Sequence, residues 1–151
     1  MDPMLEKVLA EAPDAIVVAD REGTIRYWNR GAELIFGHPP ADALGRSLDL
    51  IIPENLRARH WEGYRRVMAT GETRYASGLL SSPGVNKDGA RVSLEFSMIL
   101  LRNDDGSLSG CASVMRDVTE RRKKEKELQE RLAACESRPG LSRGADALDG
   151  R

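Results

Sequence analysis

Residues 91–98 read Arg-Val-Ser-Leu-Glu-Phe-Ser-Met. Val92, Leu94, Phe96 and Met98 alternate with Arg91, Ser93, Glu95 and Ser97. A period of two sends successive side chains to opposite faces of an extended chain, so this stretch is a strand with one face buried. A helix would scatter the same four apolar residues around its circumference. An inward Phe96 and Met98 follow from this alternation alone.

The other segments fit around that strand. Leu5, Val8, Leu9 and Ala12 recur at helical spacing, which predicts a short cap helix over 4–12 that Pro13 ends. Ile16–Ala19 reads as a buried strand and Asp20–Gly23 as a hairpin turn, with Thr24–Trp28 returning. Asn29 is a natural cap for a helix through Phe36, and Gly37-His38-Pro39-Pro40 breaks it, leaving His38 exposed. A short helix over Ala41–Leu44 stops at Gly45. Pro53–Thr70 predicts a longer helix, with proline in its first turn and Gly71 just past its end. Residues 72–82 read as a strand that Gly78 and Pro83 weaken. Asn103–Gly106 is a turn, and Leu108–Val118 is the last strand.

Two strands before the helices and three after them predict an α+β fold: a five-stranded antiparallel sheet with helices on one face. From Val118 to about Ser137 the chain becomes helical and highly charged. Val118, Leu128, Leu132 and Cys135 fit a heptad seam, with Arg121 and Glu125 at the two seam positions between them. That helix is expected to pair two copies and carry a signal. Residues 138–151 lack periodicity and are expected to be a disordered tail. The predicted layout is a cap helix over 1–12, a domain over 13–117, the exit helix over 118–137 and the tail.

Composition excludes several function classes. The 151 residues carry 23 basic and 24 acidic side chains, so no basic field argues for nucleic acid. Apolar runs such as Ala15–Ala19 fall far short of the ~20 residues of a membrane helix. The N-terminus has no signal-peptide pattern. Cys111 and Cys135 are the only cysteines, which argues against a disulfide framework and fits a reducing cytoplasm. No Cys-x-x-Cys-His run for covalent haem attachment is present. Kinase, nucleotide-binding and cyclase motifs are missing too, so the chain is expected not to be an enzyme.

Four stretches together resemble a PAS sensor domain. Asp14–Asp20 with Gly23-Thr24-Ile25 and Trp28-Asn29 is similar to that family's opening hairpin, and Ala32–Gly37 to its first helix. Lys87-Asp88-Gly89 resembles the turn between its third and fourth strands. Arg116–Arg121 resembles the junction into its signal helix. The resemblance covers about residues 5–137 and implies the PAS fold. It does not name a ligand, because members hold haem, flavin, a small metabolite or nothing. No cysteine lies between Met1 and Cys111, which excludes the cysteine photochemistry of the light-sensing flavin class but not non-covalent flavin.

Pro53–His60 resembles, more specifically, the haem-binding helix of the FixL-type oxygen-sensing histidine kinases. The match continues through Met68–Glu72 to Lys87-Asp88-Gly89. It implies haem b with His60 as the proximal iron ligand and Arg66 and Arg74 as propionate anchors. Helical spacing independently puts Leu56, His60, Gly63 and Val67 on one stripe, with Gly63 leaving room beside the imidazole. Trp61 projects away from that stripe and reads as packing.

The FixL-type arginine that contacts bound oxygen falls at Leu80, which donates no hydrogen bond. Leu79, Leu80, Phe96 and Met98 would then form an apolar distal wall suited to CO or NO, with Met98 a possible sixth ligand. The expected partners are a diatomic gas, a second copy through the flanking helices, and a downstream signalling protein. Two other readings stay open: a dimerising module with an empty or metabolite-filled pocket, and a non-covalent flavin sensor.

Overall fold

The computed structural model describes residues 1–73 and 78–137. The chain divides after Val118 into two units.

In the first unit, helix α1 (Pro3–Glu11) leads to strands β1 (Ala15–Asp20) and β2 (Ile25–Trp28). Helices α2 (Arg30–Phe36) and α3 (Pro40–Ala43) follow, then two single 3₁₀ turns, Leu48–Ile51 and Glu54–Leu56. Helix α4 (Arg57–Thr70) precedes strands β3 (Leu80–Val85), β4 (Arg91–Arg102) and β5 (Leu108–Asp117). The sheet is antiparallel in the order β2-β1-β5-β4-β3. This is the α+β fold expected, with the helices on one face.

Asn29 is the local organiser. Its side chain caps α2 by accepting from Ala32 N at 3.0 Å and also accepts from Ile16 N of β1 at 2.8 Å. Its Nδ2 donates to the carbonyls of Leu9, Ala12 and Asp14. One buried amide therefore joins the end of α1, the start of β1 and the start of α2.

Alternation decides what faces the helices. In β4, Val92 and Leu94 are buried, and they join Ala15, Val17 and Met115 of the sheet. Ile25, Trp28, Phe36 and Ile51 complete this core, with the Trp28 and Phe36 rings 5.6 Å apart. A smaller cluster of Tyr64, Met68, Leu108 and Cys111 packs beneath α4.

Several boundaries depart from the sequence reading. The predicted helix over 53–70 begins with the 3₁₀ turn Glu54–Leu56 and becomes α-helical only at Arg57. The strand expected over 72–82 starts at Leu80 and continues through Pro83 and Gly84 to Val85. It is an edge strand, where a proline without an N–H removes no bond that the sheet needs. Residues 74–77 lie outside the described residues, as does the tail over 138–151. The last strand ends at Asp117. His38 is half-buried rather than exposed, and its carbonyl accepts from Trp28 Nε1 at 2.9 Å.

The second unit contains helix α5 (Thr119–Glu136), which has no buried residue within the chain. Leu128 and Leu132 are about 60 % exposed. Arg121 and Glu125, the charged seam positions, pair within the helix at 3.6 Å. No helix among the described residues is long and apolar enough to cross a membrane.

Candidate functional site

Helix α4 stands over the inner face of the sheet and leaves a half-open cavity of about 820 Å³. That lies within the ~300–1,000 Å³ range of ligand pockets. His60, Gly63, Val67 and Met68 line it from α4. Leu94, Phe96 and Met98 line it from β4, and Cys111, Ser113 and Met115 from β5.

Both ends of α4 are secured locally. Gly71, at φ 71°, closes the helix in the left-handed conformation, its N–H bonding Val67 O at 2.8 Å. At the start, Arg57 donates from Nε to Ile52 O (3.1 Å) and from Nη2 to Asp49 O (3.3 Å). Two aromatic residues fasten the middle. Trp61 Nε1 donates to Asp49 Oδ1 at 2.7 Å, and the Tyr64 hydroxyl donates to Asp20 O at 2.5 Å.

His60 packs against both rings, which also touch each other. Its imidazole centroid is 4.8 Å from Trp61 and 5.7 Å from Tyr64. Its Nδ1 is buried and has no hydrogen-bond partner among the described residues. Burial holds the His60 pKa below its ordinary value, with Asp49 pulling weakly the other way. The ring is therefore neutral at pH 7 and keeps a lone pair for a ligand.

The remaining expected site residues fall in different places. Gly63 and Val67 line the cavity beside His60, and a Cβ added at Gly63 would meet nothing within 4 Å. Phe96 and Met98 face in from β4 as the alternation requires, with Leu80 beside them. Leu79 lies at the rim and is 69 % exposed.

Leu56 is not among the lining residues, which corrects its place on the His60 stripe. It ends a 3₁₀ turn, where residues advance about 120° instead of 100°, so the helical phase does not carry back to it. Arg66 reaches the cavity mouth, where its Nη2 pairs with Glu62 at 3.1 Å on the exposed side of α4. Arg74 lies outside the described residues.

Sequence reasoning missed Cys111 and Ser113. They share the inner face of β5 with Met115, and a period of two over 111, 113 and 115 was the available signal. Burial pushes the Cys111 thiol pKa up, with Ser113 and the Ile99 backbone pulling the other way, and the thiol donates to Ala112 O at 3.6 Å. The packing role expected for Trp61 is only part of its position, because its indole N–H also holds Asp49.

Comparison with known proteins places this architecture. The model of the family described as "PAS fold" matches residues 9–123. An uncharacterized protein of Azorhizobium caulinodans is 34 % identical over 130 residues, covering 85 % of this chain and 17 % of its own length. The sensor protein FixL of Bradyrhizobium diazoefficiens is 27 % identical over 126 residues, covering 83 % of this chain and 25 % of its own. The chain thus spans a quarter or less of these two relatives.

Among solved structures, an RNA-binding light-oxygen-voltage receptor superposes with a TM-score of 0.70 at 26 % identity, over 87 % of this chain and 36 % of that one. The PAS domain of a protein from Colwellia psychrerythraea gives a TM-score of 0.65 at 21 % identity, over 78 % of this chain and 96 % of that one. With residues 9–123 matched by the family model and the fold superposing on a solved PAS domain, the chain belongs to the PAS fold family.

Proposed function

We propose that this PAS unit is a non-catalytic, cytoplasmic sensor that takes haem b in the α4 cavity with His60 as the proximal ligand. It answers a diatomic gas or a change of redox state and signals through α5 to a partner protein, as a homodimer. The observation that carries the reading is the neutral His60 imidazole, whose buried Nδ1 has no hydrogen-bond partner among the described residues in the wall of a cavity of cofactor size. The FixL relative at 27 % identity supports it.

The residues present fit the group. Among the described residues no three His, Cys, Asp or Glu side chains converge on a metal. The single His60 in the wall of a large, largely apolar cavity would hold an iron whose other ligands come with its macrocycle. Bound haem supplies an iron centre able to bind diatomic gases and to exchange an electron.

The chain's own residues do the rest. Gly63 keeps the side of His60 clear, and Trp61 and Tyr64 orient the ring. Arg66 is available as a propionate anchor, since an exposed i,i+4 ion pair with Glu62 is worth only ~0.3–0.5 kcal/mol and exchanges easily. Leu80, Phe96 and Met98 offer no hydrogen-bond donor of their own, so a donor to a bound gas on this wall would come from Ser113, the cross-strand neighbour of Met98. Ser113 supplies a hydroxyl on the sheet side.

Absorption spectra of protein made with a haem precursor test the reading. A Soret band near one haem per chain, lost in His60→Ala, is expected. Colourless protein that takes up no added hemin would overturn it. The likeness to a light-oxygen-voltage receptor favours non-covalent flavin as the second reading, for which yellow protein with fluorescence released on unfolding is the signature.

A further inference from the structure

The residue that follows His60 sits against a turn distant in the chain. A Cβ built on Gly23 would fall 2.2 Å from two ring carbons of Trp61, so the turn between β1 and β2 lies flush on the indole. Gly23 also has φ +84°, a conformation that glycine adopts without strain. The turn is held from its other side too. The Asp20 carboxylate accepts from Glu22 N and Thr24 N at 3.0 Å and from Arg26 Nε at 2.8 Å. The Asp20 carbonyl accepts from the Tyr64 hydroxyl, and Arg21 Nη1 donates to Leu108 O at the start of β5.

We propose that Trp61 and Tyr64 are the positioning residues of the cavity: they orient His60, and they carry any displacement of it to the Asp20–Thr24 turn. The proposal rests on the reading that the cavity takes its ligand on His60. The geometry supports it in two steps. His60 touches both rings, and each ring has a directed contact to the turn. The Trp61 and Tyr64 rings also pack on each other at 5.5 Å and 74°, so neither moves alone. A packed aromatic triad transmits small shifts, because dense interiors do not absorb them. From the turn, Arg21 reaches the first residue of β5, the strand whose inner face lines the same cavity.

Amide and Hα resonances of the full-length chain give the test. Gly23 is expected to be displaced upfield by the Trp61 ring, and the displacement should vanish in Trp61→Leu. Zinc protoporphyrin IX, a diamagnetic probe, should shift the amides of residues 20–24 in the wild type. Compared at equal porphyrin occupancy, set by absorption, those shifts should shrink or disappear in Tyr64→Phe and Trp61→Leu. Equal shifts of the turn in wild type and both variants would overturn the proposal. A wild-type Gly23 at an ordinary resonance position would do the same.

If the porphyrin does not bind the wild type, the haem reading fails, and His60→Ala without a ligand decides the positioning role. Gly23 must then move in His60→Ala but not in His60→Ala/Trp61→Leu relative to Trp61→Leu. An unmoved Gly23 in His60→Ala would overturn the proposal, independently of what the cavity holds.

Discussion

Replacing Asn29 with alanine tests the local logic of the fold, and its cost can be worked out from the contacts. The Asn29 side chain accepts two hydrogen bonds, and its two N–H groups serve three carbonyls, Ala12 O at 3.3 Å by sharing. Loss of the α2 cap costs about 1 kcal/mol. Leaving the Ile16 N–H and the Leu9, Ala12 and Asp14 carbonyls without this partner adds about 2–3 kcal/mol, because part-buried groups regain only some of their hydration. The sum is about 3–4 kcal/mol. For the unit Met1–Val118 that lowers Tm by roughly 12–16 °C.

Urea and thermal unfolding followed by circular dichroism measure the effect. Asn29→Asp isolates the network from the cap. Aspartate caps helices as well as asparagine does, yet it cannot donate and would set a carboxylate oxygen beside three carbonyls. It should therefore cost about as much as alanine. An Asn29→Asp protein within about 0.5 kcal/mol of wild type would refute the network reasoning and leave only a cap.

Four further outcomes are expected. Gly63→Ala should stabilise the domain by about 0.5–1 kcal/mol in urea unfolding, because alanine is the better helix former and its Cβ has open space. Gly110→Ala should do the opposite, since its Cβ would sit 2.1 Å from the Ala19 carbonyl and force the β1–β5 ladder apart. A loss above about 3 kcal/mol, or failure to fold, is expected, and near-neutral behaviour would contradict the register.

A thiol reagent should label exposed Cys135 promptly and buried Cys111 only on unfolding, with mass spectrometry of the modified peptides as the readout. Finally, His60 is held neutral by burial, so the unfolded chain, with an imidazole pKa of about 6.5, binds more protons in mildly acidic solution. Ligand-free protein should be fully stable above about pH 7 and lose stability as pH falls through 6.5 toward the lowered folded value. His38 shifts in the same direction, so His60→Gln should remove part of the slope. An unchanged slope would speak against a buried imidazole.

Much of the fold was legible because it follows from local geometry. Alternation in 91–98 identifies a strand and its inner face wherever the strand lies, since side-chain direction depends only on the extended backbone. Asn29 was readable as a cap from the residue type and the apolar run that follows. His60, Gly63 and Val67 were placed on one face by helical spacing, and they do share the cavity wall. Leu56 was misplaced because the backbone changes pitch at Arg57, whose side chain is drawn to the Ile52 and Asp49 carbonyls. Spacing carries no information about such a change.

Contacts between segments far apart in the chain were not legible in the spacing, and only the family resemblance set Leu80, Phe96 and Met98 around the same cavity as His60. Trp61 looked like outward packing on α4, yet it meets Gly23 of the first hairpin and the Asp49 carboxylate. Cys111 and Ser113 enter the cavity only because β5 lies between β1 and β4, and strand order is not encoded in the alternation of a single strand. Local patterns set which face of an element is apolar, because that is a matter of backbone period. Which elements meet across that face, and so which side chains surround the His60 imidazole, depends on the joint packing of all of them.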